Sequence, residues 1–214
     1  MMSLPFDREC WRFAGILAVI AFLLSIINVH LGWFGFLLVI FCIAFFRDPV
    51  RVSPEVTNEV LSPADGIVLS IEEVNAPRDF EMPSGTKFKK ISIFMSIFDV
   101  HVNRSPINCV IERILYFPGK YFNASLDKAS EHNERQVFFT RTADDKEVIF
   151  VQIAGLVARR IRCDVSVGDE MIAGEKIGMI RFGSRMDLYL PTDTQVYIME
   201  GQTMVAGETI IAKL

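Results

Sequence analysis

The fold is decided by the stretch Val167-Gly168-Asp169-Glu170-Met171-Ile172-Ala173-Gly174-Glu175-Lys176-Ile177, because it returns as Glu200-Gly201-Gln202-Thr203-Met204-Val205-Ala206-Gly207-Glu208-Thr209-Ile210. Gly, Met, Ala, Gly, Glu and Ile occupy the same places in both copies. Each copy predicts a glycine turn, a short strand, a second turn at Ala-Gly-Glu and another strand. The glycines are therefore interpreted as turn residues rather than as ligand-binding residues.

The repeat resembles the half-motif of biotinyl- and lipoyl-type barrels, in which two quasi-symmetric halves wrap one small core. Further β-branched and aromatic runs, bounded by Gly, Pro and Asn, predict more strands at 66–71, 90–95, 136–140 and 147–153. No long amphipathic helical period is evident. The sequence thus predicts a mainly β fold, a sandwich or flattened barrel built around the half-motif repeat.

An apolar segment precedes this domain, since residues 13–46 contain no Asp, Glu, Lys or Arg. One straight helix of that length would exceed the hydrocarbon core of a bilayer, which is about 30 Å thick. The run Asn28-Val29-His30-Leu31-Gly32 offers a break, so the segment predicts an N-terminal hydrophobic helical hairpin. His30 is interpreted as a polar residue at that break.

Arginines flank the apolar segment at positions 8, 12, 47 and 51. By the positive-inside rule, both ends and the following domain face the cytoplasm. A cleaved signal peptide fits poorly, because the second apolar stretch follows the first at once. We therefore expect a membrane anchor at 1–46 and a β-rich domain at 47–214, located at the cytoplasmic side of the cell membrane.

Charge and cysteine content exclude two classes of function. The net charge of −4 disfavours nucleic acid as the partner, since phosphate binding requires a basic surface. The four cysteines show neither CxxC nor Cys/His spacing, so we expect no metal site and no disulfide framework.

Between the two copies of the repeat lies Phe182-Gly183-Ser184-Arg185, which alone would be an ordinary turn. Four other fragments accompany it: Phe45-Phe46-Arg47-Asp48-Pro49-Val50-Arg51, Ser62-Pro63-Ala64-Asp65-Gly66, Phe98-Asp99-Val100-His101-Val102-Asn103-Arg104 and His132-Asn133-Glu134-Arg135. Together and in this order, they closely resemble the short prokaryotic form of the pyruvoyl-dependent phosphatidylserine decarboxylases. The resemblance covers nearly the whole chain.

This resemblance implies a proenzyme that cuts itself between Gly183 and Ser184. The Ser184 hydroxyl attacks the Gly183 carbonyl, and elimination then leaves a covalent pyruvoyl group at the start of the small fragment. That group forms a Schiff base with phosphatidylserine and accepts the electrons released with CO2, so that phosphatidylethanolamine is formed. The two fragments stay associated, the partner is a phospholipid membrane, and a homo-oligomer is left open.

The resemblance also implies roles for other side chains. His101 is expected to transfer protons, and Asp65 is expected to orient the histidine or base beside the cleavage site. Arg104 stands where longer bacterial members carry a second histidine. Either His101 serves both proton-transfer steps, or His132 supplies the second.

Binding of the phosphate and carboxylate of a lipid headgroup calls for cations near the site. The candidates are Arg104, Arg135, Arg185 and Lys120.

Two alternatives compete with this interpretation. A pyruvoyl decarboxylase of soluble amino acids would have no use for a membrane anchor. A membrane-tethered biotinyl- or lipoyl-like carrier or adaptor is compatible with the repeat. However, a carrier needs a lysine at the hairpin between the halves, where this chain has Gly183-Ser184-Arg185-Met186.

Overall fold

A computed structural model describes residues 5–55, 57–120, 122, 124, 132–155, 160–181 and 183–214. The chain divides into two compact units, Met1–Val50 and Arg51–Leu214.

The first unit contains two apolar helices, α1 at Cys10–Ile27 and α2 at Val29–Phe45, which confirms the predicted hairpin. The break between them is the single residue Asn28, whose backbone is extended and whose side chain accepts a hydrogen bond from His30 N–H at 2.8 Å. His30 therefore lies in the first turn of α2 and not in a longer loop.

Small residues let the two helices approach each other closely. A Cβ atom on Gly35 would lie 2.7 Å from the Cβ of Ala21, a type of contact common between apolar helices. Helix α1 is long and apolar enough to cross a membrane, and α2 is a shorter apolar helix.

The second unit is built of strands, as the sequence predicted. They are β1 Glu59–Leu61, β2 Gly66–Asn75, β3 Lys87–Met95, β4 Val102–Arg104, β5 Cys109–Phe117, β6 Arg135–Arg141, β7 Glu147–Ala154, β8 Ile161–Cys163, β9 Glu170–Met171, β10 Lys176–Ile180, β11 Ser184–Leu190, β12 Gln195–Val196, β13 Thr203–Met204 and β14 Ile210–Lys213. A short 3-10 turn, Arg78–Phe80, follows β2.

The strands form one large antiparallel sheet and two small ones. The large sheet has eight strands in the order β13-β2-β3-β11-β7-β6-β5-β9 and curls into half a barrel. The small sheets have the orders β1-β14-β12 and β4-β10-β8. Strand β11 is thus paired on both sides, with β3 and with β7.

Alternate side chains of β11 belong to two hydrophobic clusters, one on each face of the sheet. Met186, Leu188 and Leu190 belong to the main core on the inner face of the curled sheet. Tyr189 belongs to a second cluster, together with Phe80 of the 3-10 turn. Since side chains alternate along a strand, Ser184 shares the inner face and Arg185 the outer one.

The repeat seen in the sequence is a pair of equivalent turns in the structure. Gly168 and Gly201 have φ values of +94° and +84°, and Gly174 and Gly207 have φ values of +87° and +74°. Each copy supplies a two-residue strand and then a longer one, namely β9 and β10 or β13 and β14.

A second, earlier repeat accompanies the first, and it escaped the sequence analysis. Ser62-Pro63 follows β1 and Ser105-Pro106 follows β4, and the two segments bond reciprocally. Leu61 N–H donates to the Pro106 carbonyl at 2.7 Å, and Arg104 N–H donates to the Pro63 carbonyl at 2.9 Å. The unit therefore consists of two related halves, each with a strand, a Ser-Pro loop, a long strand and one copy of the later repeat.

Candidate active site

Gly183 and Ser184 lie where a loop enters the central strand of the large sheet. Gly183 has φ +64°, a left-handed conformation that favours glycine. Ser184 is fully buried and pairs with Met95 of β3 and Ala154 of β7. Its Oγ lies 3.9 Å from the Met95 sulfur, which is only a weak acceptor. Phe182 lies outside the described residues.

His101 contacts this loop directly and is itself fully buried. Gly183 N–H donates to His101 Nε2 at 3.0 Å, and the opposite ring nitrogen, Nδ1, lies 3.0 Å from the carbonyl oxygen of Asp99. A carbonyl only accepts hydrogen bonds, so these contacts assign the proton to Nδ1. The result is a neutral imidazole whose Nε2 lone pair points at the segment entering β11.

The end of β7 crowds the Gly183 carbonyl. A Cβ atom on Gly155 would lie 1.9 Å from the carbonyl oxygen of Gly183. No side chain fits in that space, so glycine at 155 is required for the two backbones to approach.

A row of buried amides lies beneath Ser184. Asn103 donates to the Met95 sulfur at 3.4 Å, and Gln152 Nε2 donates to Asn103 Oδ1 at 2.9 Å. Gln152 Oε1 is buried and has no hydrogen-bond partner among the described residues. Sequence analysis missed Gly155 and Gln152, although an amide among apolar residues on a strand was a detectable signal.

Asp65 makes contacts other than those expected. Its carboxylate accepts a hydrogen bond from Ala206 N–H at 2.7 Å and forms an ion pair with Arg51 at 2.7 Å. No described hydrogen bond joins Asp65 to His101 or Ser184, so its orienting role stays a prediction.

The near-symmetry of the unit explains the position of Asp65. Asn108 occupies the equivalent place after the other Ser-Pro loop, and its Oδ1 accepts from Ala173 N–H at 2.8 Å. An amide thus suffices to hold the turn, and the negative charge of Asp65 is the feature specific to its half.

The remaining candidates contact other described groups. Arg104 donates to the Gly174 carbonyl at 2.9 Å and so holds a turn of the repeat. Arg135 forms an ion pair with Asp79. The exposed His132 places its ring edge-on to Phe122.

Arg185 is bound to Asp187 through two hydrogen bonds of 2.7 and 2.8 Å, buried on the outer face of the sheet. The structure thus brings together His101, Gly183 and Ser184, and headgroup binding by the arginines stays a prediction.

A cavity of about 380 Å³ lies on that outer face. The charged side chains that line it are paired, Lys90 with Glu72, Arg135 with Asp79 and Asp187 with Arg185. Burial raises the pKa of the Tyr189 phenol there.

The arrangement of possible metal ligands and of the thiols can be stated for the described part of the chain. No group of three or more His, Cys, Asp or Glu in that part is placed to hold a metal ion. All four cysteines are free, and burial raises the pKa of the Cys109 and Cys163 thiols.

Comparison with known proteins gives one consistent result. The family model of phosphatidylserine decarboxylase matches residues 38–212. The phosphatidylserine decarboxylase proenzyme of Ruegeria pomeroyi is 50% identical over 210 residues, which cover 98% of this chain and 95% of the relative. The proenzyme of Cereibacter sphaeroides is 48% identical over 210 residues, which cover 98% of this chain and 90% of the relative. The proenzyme of Rickettsia prowazekii is 48% identical over 205 residues, which cover 96% of this chain and 88% of the relative.

Proposed function

Since the chain belongs to the phosphatidylserine decarboxylase family, we propose that it is made as a proenzyme, cuts itself between Gly183 and Ser184, and then decarboxylates phosphatidylserine to phosphatidylethanolamine. The observation that carries this proposal is the hydrogen bond from Gly183 N–H to His101 Nε2. It puts an unprotonated imidazole nitrogen close to the carbonyl carbon that Ser184 must attack. The carrier or adaptor alternative finds no support, because the relatives are named as decarboxylase proenzymes.

Self-cleavage requires the Ser184 hydroxyl to bond to the Gly183 carbonyl carbon while the peptide C–N bond breaks. The hydroxyl proton moves by way of a base to the released nitrogen, and an ester results. Loss of the Ser184 α-proton then breaks the Cβ–O bond and frees the Gly183 carboxylate. Water finally replaces the nitrogen, which leaves as ammonia.

Three features of the chain support this sequence of steps. Among the described residues, the Met95 sulfur is the one hydrogen-bond partner of Ser184 Oγ, so rotation of the hydroxyl toward the carbonyl loses little hydrogen-bond energy. Gly183 adopts a left-handed conformation and has no side chain that could block attack on its own carbonyl. His101 Nε2 carries no proton, and the ring is held in place by the Nδ1 contact with Asp99.

The residues around Ser184 also fit a pyruvoyl group. Position 184 is fully buried, and β3 and β7 hold it on both sides, so the new N-terminus would stay in place. When present, the pyruvoyl group supplies an electron sink for loss of CO2. His101 is then placed to return a proton from a site shielded from water.

The same pairing supports association of the two fragments after the cut. The small fragment would contain β11 to β14, and β11 lies between two strands of the large fragment. Helices α1 and α2 would anchor the enzyme in the membrane. The arginines at 8, 12, 47 and 51 would place the catalytic unit on the cytoplasmic side.

The proposed function is tested with the purified full-length chain. Intact-mass measurement should show two fragments that meet at Gly183/Ser184, the smaller one blocked to Edman degradation. CO2 release should occur with phosphatidylserine vesicles and not with free serine. A folded, uncut chain with an intact Ser184 would overturn the proposal.

Gly155→Ala is expected to slow self-cleavage at least about tenfold, because its Cβ would displace the Gly183 carbonyl from its position. Gly178→Ala is the matched control, since a Cβ there would lie 2.0 Å from the Arg162 carbonyl. Urea denaturation compares the stability losses of the two variants, and gel densitometry compares their cleavage rates. Equal slowing in both would show that Gly155 acts only through general stability.

Asp65→Ala and Asn108→Ala are each expected to lower the free energy of unfolding by about 1–3 kcal/mol, because each frees one backbone N–H. The loss should be the larger for Asp65→Ala, which also removes the ion pair with Arg51. Only the Asp65 variant should also slow self-cleavage. Asp65→Asn should keep the bond to Ala206, as Asn108 does in the other half, and still cleave slowly. If Asp65→Asn cleaves at the parental rate, the negative charge has no part in the reaction.

A further inference from the structure

The loop that carries His101 also presents apolar side chains to solvent. Between β3 and β4, Ile97 is 40% exposed and Phe98 is 70% exposed. The loop forms a turn closed by two hydrogen bonds: Ser96 N–H donates to Asp99 Oδ2 at 2.7 Å, and Asp99 N–H donates to the Ser96 carbonyl at 3.0 Å. Phe98 is therefore held outward by a defined turn.

These side chains lie beside the proposed cleavage site. The Ile97 Cγ2 atom is 3.8 Å from the position of a Cβ on Gly183. Asp99, on the same turn, holds His101 through the Nδ1 contact. The turn that exposes Ile97 and Phe98 therefore also holds His101 in place.

A third exposed apolar side chain, Phe122, lies between β5 and β6. Phe122 is 41% exposed, and its backbone is bound to the Asn133 side chain by two hydrogen bonds of 2.8 Å. Asn133 also donates to the carbonyl of Ala154 at 2.7 Å, and Ala154 pairs with Ser184. Phe122 is therefore tied to the same end of β11 as Ile97 and Phe98.

Exposed cations accompany the apolar side chains. The Lys120 ammonium lies 6.0 Å from the centre of the Phe122 ring. Arg160 is also exposed, and its carbonyl accepts a hydrogen bond from Arg181 N–H. Arg181 precedes Gly183 by two residues. The nearest acid on the apolar turn, Asp99, is engaged by Ser96 N–H. Aromatic tips beside Lys and Arg suit the boundary between acyl chains and anionic headgroups.

We propose that Ile97, Phe98 and Phe122 form an insertion lip that enters the interface of an anionic phospholipid bilayer around the Gly183–Ser184 site. The catalytic unit thereby contacts lipid independently of helices α1 and α2. The inference rests on the proposed function, because a phospholipid substrate is what requires the site to open onto a bilayer. Lys120 and Arg160 then face headgroup phosphates while the aromatic rings reach the acyl boundary.

The test uses the full chain with Trp11→Phe and Trp33→Phe, which removes both native tryptophans. Into this background we place Phe98→Trp or Phe122→Trp, and as a control Ile172→Trp, whose position is 64% exposed on a turn of the repeat. Each protein is reconstituted into vesicles of phosphatidylcholine with a minority of phosphatidylglycerol, made either with brominated or with ordinary acyl chains. Thermal unfolding confirms that each variant is folded.

Brominated chains should lower the tryptophan emission of the Phe98→Trp and Phe122→Trp proteins by about half, while the emission of the Ile172→Trp protein should change little. Quenching in the two lip variants no greater than in the control variant would overturn the insertion lip. The tryptophan-free parent reports the proposed function separately, through its cleavage and CO2 release. An active parent combined with an unquenched Phe98→Trp protein rejects the lip alone, and an inactive, uncut parent rejects the function.

Discussion

Ser184→Ala should remain a single uncut chain and should lose decarboxylase activity by about 10³-fold or more, to the background of the assay. In the proposed reaction the variant lacks the hydroxyl that attacks Gly183, and it therefore cannot form the group that accepts electrons. The fold should persist, because the only described side-chain contact of Ser184 is the weak one to the Met95 sulfur. A denaturing gel and a CO2-release assay measure the two losses.

Ser92→Ala is the matched control. Ser92 is also buried in the large sheet, in β3, and its hydroxyl has no hydrogen-bond partner among the described residues. It should cut itself and turn over at the parental rate. Cleavage of Ser184→Ala at Gly183, or equal losses in the two variants, would contradict the assignment of Ser184.

His101→Gln should slow self-cleavage by about 10²–10⁴-fold, the usual contribution of a proton-transfer group. The glutamine carbonyl can still accept the Gly183 N–H, so loop position is kept while the titratable nitrogen is lost. His101→Ala removes both functions and should be at least as slow. Rates are measured by densitometry of cleavage after synthesis in a cell-free system.

The pair of variants separates two roles of His101. Parental cleavage in His101→Gln would mean that the residue only positions Gly183, and parental cleavage in His101→Ala would remove it from the mechanism. His132→Ala tests the remaining histidine candidate of the catalytic unit. Because His132 is exposed and its ring faces Phe122, we expect its effect to be small beside that of His101.

Much of the fold could be predicted from local sequence. Runs of β-branched and aromatic residues predicted the strands, the charge-free segment predicted the hairpin, and the repeat predicted two related halves. The pairing of His101 with Ser184 came from the family motifs, which lie far apart along the chain. The structure adds the contact between His101 Nε2 and the N–H of Gly183, the residue before Ser184, and the tautomer that makes Nε2 an acceptor.

What the sequence could not predict depends on tertiary pairing. Gly155 matters because β7 is antiparallel to β11 and its end meets Gly183. The near-twofold relation of the Ser-Pro loops directs the carboxylate of Asp65 to Ala206 N–H, a contact between segments far apart in sequence. Arg185 neighbours Ser184 in sequence, yet the alternation of a strand turns it to the opposite face, where it binds Asp187.

The central position of β11 has a consequence for the lifetime of the mature enzyme. In the proposed cut form, β11 lies between β3 and β7 without the covalent link that precedes it in the uncut chain. Escape of the small fragment would require both ladders to open, and its return would be a bimolecular encounter dependent on concentration. We therefore expect the proposed cut enzyme to be preserved by a kinetic barrier, and its heat inactivation should be irreversible, with a midpoint that shifts with scan rate.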